Sequence, residues 1–332
     1  MTATTNITNK RKRPKYKPKK PSLIDFSKKY ANNDEACEKC FFDIKYPDGY
    51  ICPECGCKHY RKVPGKKYCY VCKDCGHQSY LFAGTIFQDN KLDLYKLLLG
   101  LYLFFTSNKG ISAMDIRSQL DVNYKTALLL CRKCRILMRD SNAKHVLDSC
   151  FYEADVAYIG SKSKQPGHQG RGTEKQAFFA VLSTAQENAY PECVKLTTVA
   201  KDNSAVTEQF LLNSITVGEY RVLNTDGNTT FNILKTNMTV FNEKVDYGLK
   251  NHRLYWLNIV ISNVKNNITG IYKGISKRDL PLFMSEQEYR FNHRKGGTTL
   301  MNNVFRYIGL SKPMPKRAII DEIDEAYCLA CA

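Results

Sequence analysis

Two acids two positions apart, Glu153 and Asp155, lie inside the run Cys150–Gly160, CFYEADVAYIG. Phe151, Tyr152, Val156, Tyr158 and Ile159 make that run an aromatic and β-branched strand. Residues two apart on a strand project from one face, so the carboxylates share a side. An acid in apolar surroundings is costly to bury unless a hydrogen bond or a cation compensates it. Taken alone, Asp155 reads more readily as a hydrogen-bonded strand-end acid than as a metal ligand. A second acid, Asp226, follows the strand-like run Glu219–Leu223 in Asn224-Thr225-Asp226-Gly227. Asp beside Gly at a strand end is where chemistry often sits in α/β sheets, and it is equally a common turn. Trp256–Lys265 (WLNIVISNVK) then reads as a helix. Asn258 and Ser262 are one turn apart on it, Lys265 lies on nearly the same face, and Leu257, Ile261 and Val264 lie opposite. Such a helix can aim an Asn258 oxygen at the two Asp groups and hold Lys265 ready for a phosphate. A mid-helix Asn is, in isolation, more often simply exposed.

The second chemical signal is cysteine. Cys52-Pro-Glu-Cys55 and Cys72-Lys-Asp-Cys75 are C-x-x-C knuckles separated by sixteen residues, the spacing of a four-thiolate zinc ribbon. Gly56 and Gly76 follow the knuckles, where positive φ turns amides toward sulfur. Cys69 offers an alternative knuckle with Cys72, or a small strand residue. Cys37/Cys40 and Cys131/Cys134 fall in predicted helices and read as packing. Cys328/Cys331 has no physical account.

These groups sit in a chain of 332 residues with a formal net charge of +18 and pI near 9.2, which points to a polyanionic partner. No apolar run is long enough to span a membrane, Leu97–Phe105 being too short. No signal-peptide pattern opens the sequence, and cysteines in C-x-x-C pairs suggest thiolate–metal sites before disulfides. The expected setting is the bacterial cytoplasm (nucleoid), or the nucleus of a eukaryotic host.

The elements that must position the chemistry divide the chain five ways. Residues 1–30 are a basic tail rich in Lys and Arg, predicted disordered, which either tracks phosphates or merely solubilises. Residues 31–82 hold the zinc ribbon. Residues 83–147 read as helical: Lys91–Phe105 with one apolar face, a short helix Ser112–Leu120, the turn Asp121-Val122-Asn123 and a longer helix Tyr124–Met138. The last three make a helix-turn-helix or an ordinary helical hairpin. In the first case Lys125, Arg132, Lys133 and Arg135 would contact DNA. Residues 148–295 form an α/β portion. Phe178–Ser183 and Cys193–Val199 join the Asp155 strand in an antiparallel meander, followed by a helix at Ser204–Leu212 and another at Ser276–Arg294. The glycine-rich basic stretch Ser161–Lys175 is either a clamp for DNA backbone or a plain loop. Residues 296–332 are expected to be a C-terminal tail.

Several blocks in one order then carry a resemblance. YPDGYICPECG, CKDCGHQSYLFAGTIF, GISAMDIRSQLDVNYKTA, YEADVAYIG, TDG and SNVKNNITGIYKGIS–YRFNHR together resemble the ISXO-type insertion-sequence transposases, relatives of the Merlin transposases. The resemblance runs from about Asp34 to Arg294. It implies an α+β multidomain protein whose last domain is RNase H-like with a mixed sheet. It also implies a catalytic Asp, Asp, then Glu or Asn, followed by Lys, which fall on Asp155, Asp226, Asn258 and Lys265. Asp155, Asp226 and Asn258 would then hold Mg²⁺ or Mn²⁺, and Cys52, Cys55, Cys72 and Cys75 zinc. The implied reactions are strand cleavage at element ends and 3′-hydroxyl attack on target DNA. The implied partners are double-stranded DNA, as terminal inverted repeats and target, and a second copy of the chain. Val156 and Ala157 depart from the acid and small polar residue usual after the first Asp, and a histidine common near Phe241 is absent. The rival reading is a transposase-derived, sequence-specific regulator with a silent site; a nuclease or resolvase on the same metal chemistry is a third.

Overall fold

The computed structural model describes residues 22–160, 175–199, 203–246, 248, 252–295 and 299–331. Of the disordered tail expected at 1–30, residues 1–21 lie outside these residues, as does nearly all of the 161–175 stretch, whereas Leu23–Tyr30 is a helix capped by Ser22 with Phe26 buried.

The first unit is the cysteine-rich one. Helices α1 (Leu23–Tyr30) and α2 (Asp34–Lys45) precede a small antiparallel sheet of β1 (Tyr60–Lys62), β2 (Cys69–Cys72) and β3 (Gln78–Tyr80), with β2 central. So small a sheet has no interior of its own. It leans on α2 instead: Tyr70 is buried, stacks edge-on with Phe42 at 5.0 Å and donates its hydroxyl to Glu38 at 2.5 Å. Tyr50, Cys52, Tyr70 and Cys72 thereby join one core with the helices that follow.

Those helices are α3 (Leu94–Thr106), α4 (Ala113–Leu120) and α5 (Tyr124–Asn142). Asp93 caps α3, a reciprocal Ser112–Asp115 capping box opens α4, and Asn123 caps α5. Asp121, at φ 48°, ends α4 and turns the chain within three residues. The second half of α5 is buried on every side, from Lys133 to Met138. It is the central helix of the molecule rather than a surface one.

The α/β portion holds a five-stranded sheet of β4 (Phe151–Ile159), β5 (Gln176–Thr184), β6 (Val194–Val199), β7 (Val222–Thr225) and β8 (Thr239–Asn242), in the order β6-β5-β4-β7-β8. β5 is antiparallel to both neighbours, whereas β4, β7 and β8 run parallel. The expected antiparallel meander is therefore β4-β5-β6. One face packs Tyr152, Ala154, Phe179 and Val181 against α6 (Ser204–Ser214) and the 3₁₀ helix Thr229–Thr236. The other packs Ala157, Ile159, Phe178 and Ala180 against α7 (Tyr255–Gly270) and α8 (Leu280–Asn292). β5 is buried along its whole length, as a strand covered on both faces must be. The edge of β6 is blocked by α8, whose Asn292 and Glu288 side chains accept from the Val194 and Leu196 amides at 2.7 and 3.0 Å.

The stretch after residue 295, expected as a tail, contains two helices, α9 (Thr299–Leu310) and α10 (Lys316–Cys331). Ile308, Ile319 and Ile323 enter the core shared with α3 and α5. The amphipathic spacing of Ile319 and Ile323, four apart, is what folds this segment back. Among the described residues no helix is long and apolar enough to cross a membrane.

Candidate functional site

Asp155 and Asp226 come from neighbouring parallel strands. Ala154 pairs with Thr225 across β4 and β7, so the next residue on each strand sets the two acids side by side. Adjacent strands lie about 4.8 Å apart, within reach of a shared cation. Asp155 Oδ1 accepts from the Val156 amide at 2.6 Å, and Asp226 Oδ1 accepts from the Val245 amide at 2.8 Å. Asp155 belongs to the sheet face that α7 covers, the face of Ala157 and Ile159.

α7 forms because Leu257, Val260, Ile261, Val264 and Ile268 recur at helical spacing and bury against that face. Asn258 and Lys265 lie together on its flank. Burial pushes the Lys265 ammonium down; Asp155 opposes that shift and Lys175 adds to it, so Lys265 lies in the field of both. Asn258 Nδ2 is buried without a hydrogen-bond partner. The two ends of an amide are told apart only by their partners. Turned over, this one presents its oxygen, a hard donor that suits Mg²⁺ or Mn²⁺ beside two carboxylates. The donor set therefore fits a divalent cation.

Glu153, the other acid of the opening strand, does something the sequence did not disclose. It is only 2 % exposed, and its Oε2 accepts from the Leu257 amide at 2.8 Å. Leu257 lies in the first turn of α7, whose N-cap residue Leu254 offers no side-chain bond, so Glu153 caps the helix from the sheet. Burial pushes its carboxyl up to about 7 against that bond. The cap fixes where α7, and with it Asn258, begins. Glu153→Ala should destabilise the fold by about 1–2 kcal/mol, and Glu153→Gln, which keeps an acceptor oxygen, by less. Chemical denaturation of the three proteins checks this; equal midpoints for Ala and wild type would remove the cap from the account.

At the other end of the chain, the sulfur atoms of Cys52, Cys55, Cys72 and Cys75 all lie within 4.8 Å of one another. Cys52–Cys75 and Cys55–Cys72 approach to 3.6 and 3.5 Å. Gly56 and Gly76, at φ +72° and +73°, close the two knuckles by donating to the carbonyls of Cys52 and Cys72. Four converging thiols can hold a tetrahedral zinc. Cys69 is a buried strand residue outside the cluster, Cys37 donates to the Tyr30 carbonyl, and Cys131 and Cys134 are wholly buried.

The basic residues of α5 need correction as a DNA surface. Arg135 is 2 % exposed and its Nε donates to Glu286 at 2.7 Å. Lys133 is buried against the Ile86 carbonyl at 2.5 Å, and burial pushes its ammonium down. Arg132 is ion-paired with Asp279 at 2.9 Å and is largely covered. Lys125 alone of the four is exposed. Charge on a helix reads as solvent-facing in sequence; here α8 and the Ile86 loop cover it.

Residues 149–292 match the family described as the ISXO2-like transposase domain. The match supports a transposase of the ISXO type over this part of the chain. The matched segment contains Glu153, Asp155, Asp226, Asn258 and Lys265. No curated protein matches the chain.

Proposed function

We propose that the chain is a DNA transposase that binds the ends of an insertion sequence and catalyses metal-dependent strand cleavage and strand transfer. The observation that carries this is the placing of Asp155 beside Asp226, with Asp155 in the field of Lys265, inside the segment that matches the transposase domain. The strand order, with the second strand alone reversed, supports an RNase H-like reading of that domain. Asp155, Asp226 and Asn258 are the residues to hold Mg²⁺ or Mn²⁺, which would supply charge stabilisation and an activated oxygen for in-line phosphoryl transfer. Asp226 is held in place by the Val245 amide and Asn258 by α7, so the donors are preorganised. Lys265 positions a phosphate as a point charge.

Sequence-blind affinity for double-stranded DNA comes from the +18 charge, with the basic tail its densest part. The two helices α4 and α5, joined by a three-residue turn, support a helix-turn-helix, with Lys125 at its exposed entry. Paired ends call for at least two copies of the chain. The test is a cleavage and strand-transfer assay on labelled element ends, with and without Mg²⁺, beside a gel-shift on the same DNA. Metal-dependent cutting is expected. A protein that binds the ends and never cuts in Mg²⁺ or Mn²⁺ would instead be the regulator.

The ribbon carries its own expectation: one zinc per chain. Because Cys52 and Cys72 belong to the core shared with α2 and α3, removing the metal should loosen the ribbon and leave the sheet of the transposase domain folded. Elemental analysis and hydrogen exchange before and after chelation read this out. A metal-free chain whose residues 50–80 stay equally protected would refute it.

A further inference from the structure

By helical spacing Trp256 lies on the side of α7 away from Asn258 and Lys265, and it belongs to a row of aromatic rings. Tyr190, in the connection between β5 and β6, is 53 % exposed. Its ring meets Trp256 edge-on at 5.2 Å, Trp256 meets Tyr255 at 5.3 Å, and Tyr255 meets His252 at 6.0 Å. Trp256 Nε1 donates to the Asn188 carbonyl at 3.1 Å, which ties the helix to the loop. Two cations border the row. The Arg294 guanidinium stands 5.2 Å from the Tyr190 centroid and the Lys295 ammonium 5.6 Å. Arg294 also stacks on Phe291 at 3.9 Å and donates to the carbonyls of Glu192, Phe291 and Pro191 and weakly to the Tyr190 hydroxyl. Its partners are neutral oxygens, so its charge is fixed in place and still available to an anion. Arg253 nearby is different, being shared between Glu187 and Glu243.

Beyond Arg294 along the chain is a cavity of about 370 Å³ lined by residues that include Lys144, His145, His293 and Arg306, with no carboxylate in its wall. Its lining includes His293 and Cys193, the chain neighbours of Arg294 and Glu192. An exposed Tyr190 ring, backed by the half-buried Trp256 and bordered by cations, suits one ligand chemistry above others. Bases that are not already stacked in a duplex can lie on Tyr190, while the linking phosphates meet Arg294 and Lys295. A duplex keeps its base faces inside and gains nothing from the rings. An apolar protein partner would have to strip water from the cations.

We propose that this face binds a single strand of DNA by base stacking on Tyr190, beside Trp256. The proposal rests on the transposase reading for its source of ligand, since opening and cutting an element end exposes unpaired nucleotides. It does not depend on Asp155 or Asp226.

Trp256 is the only tryptophan in the chain, so its fluorescence reports this face alone. The full-length protein is titrated with oligothymidylate, without added divalent cation, at a salt concentration that suppresses general phosphate binding. Saturable quenching is expected. An abasic oligomer of equal length should bind at least about tenfold more weakly, and Tyr190→Ala should weaken oligothymidylate by roughly tenfold while Tyr190→Phe retains it. Asp155→Ala should quench as wild type does, so a protein that never cuts but still quenches separates this proposal from the catalytic one. Tyr190 is exposed enough for its substitution to leave the melting temperature unchanged, which is measured alongside. Absence of quenching, equal quenching by the abasic oligomer, or tighter binding of duplex DNA or of oligouridylate would each overturn the assignment.

Discussion

Asp155→Ala and Asp226→Ala are each expected to lower cleavage and joining of element-end DNA by at least about 10²–10³-fold, the cost of removing one group that stabilises charge in a transition state. DNA affinity should stay within a few-fold of wild type, because Asp155 sits mid-strand on β4 and Asp226 just past β7, whereas the bulk of the positive charge lies elsewhere in the chain. The physical basis is the register of β4 and β7. Two parallel neighbours deliver their next residues together, and neither acid can be replaced by a residue one step along without turning to the other face. Asn258 tests the donor set from the helix side. Asn258→Asp keeps an oxygen and adds charge toward a cation, so it should retain more activity than Asn258→Ala. Lys265→Ala should cut activity while leaving metal-dependent stabilisation of the fold intact, since it removes a phosphate contact and no ligand. The measurement is single-turnover cleavage at saturating DNA, with calorimetry in Mg²⁺. If Asp155→Ala cuts as fast as wild type, the pair is a structural feature of the sheet and the reaction lies elsewhere.

How much of this could be read from the sequence depends on how far apart the partners are. The strand holding Asp155 announces itself by alternation, and the helix holding Asn258 by its period, because each pattern is complete within ten or so residues. The ribbon is legible for the same reason: knuckle spacing encodes the geometry. β8, only four residues long, and the 3₁₀ helix before it carry too little pattern to register. α10 did carry one, in Ile319 and Ile323, but a run ending in small residues and Cys reads easily as a tail. The role of Glu153 was hidden, since its partner is the Leu257 amide 104 residues on. The aromatic row is assembled from positions 190, 255, 256, 294 and 295, which no local window contains. Burial of Arg135 was hidden for the same reason. A charge on a helix looks solvated until the acid that neutralises it, here Glu286, is found 151 positions away.

That acid supplies the largest stability effect expected in the molecule. Glu286 is fully buried on α8 and accepts from Arg135 of α5 at 2.7 Å, from Arg290 at 2.8 Å and from Tyr272 at 2.8 Å. Arg290 in turn donates to the carbonyls of Ser107 and Phe104 at the end of α3. The network therefore pins the helical segment onto the sheet-bearing portion through groups that are mostly shut off from water. Two guanidiniums left around an absent carboxylate are far worse than an exposed broken pair. Glu286→Ala should cost about 3–5 kcal/mol, which for a domain of this size lowers Tm by on the order of 10 °C. The double mutant Glu286→Ala/Arg135→Ala should cost clearly less than the sum of its singles, since the two are in contact. Burial alone would push the Glu286 carboxyl up, yet Arg135 and Arg290 outweigh it and hold it below its ordinary 4.5. A depressed folded-state value means the stabilisation is complete above the ordinary value and is lost as pH falls through the folded one. Wild type should thus lose stability with acid below about pH 4.5 more steeply than Glu286→Gln, which cannot titrate. Thermal melts of the set between pH 3 and pH 7 decide the matter. A Glu286→Ala protein within about 1 kcal/mol of wild type would mean that the helical segment and the transposase domain are held together by apolar packing of α5, α8 and α9 alone.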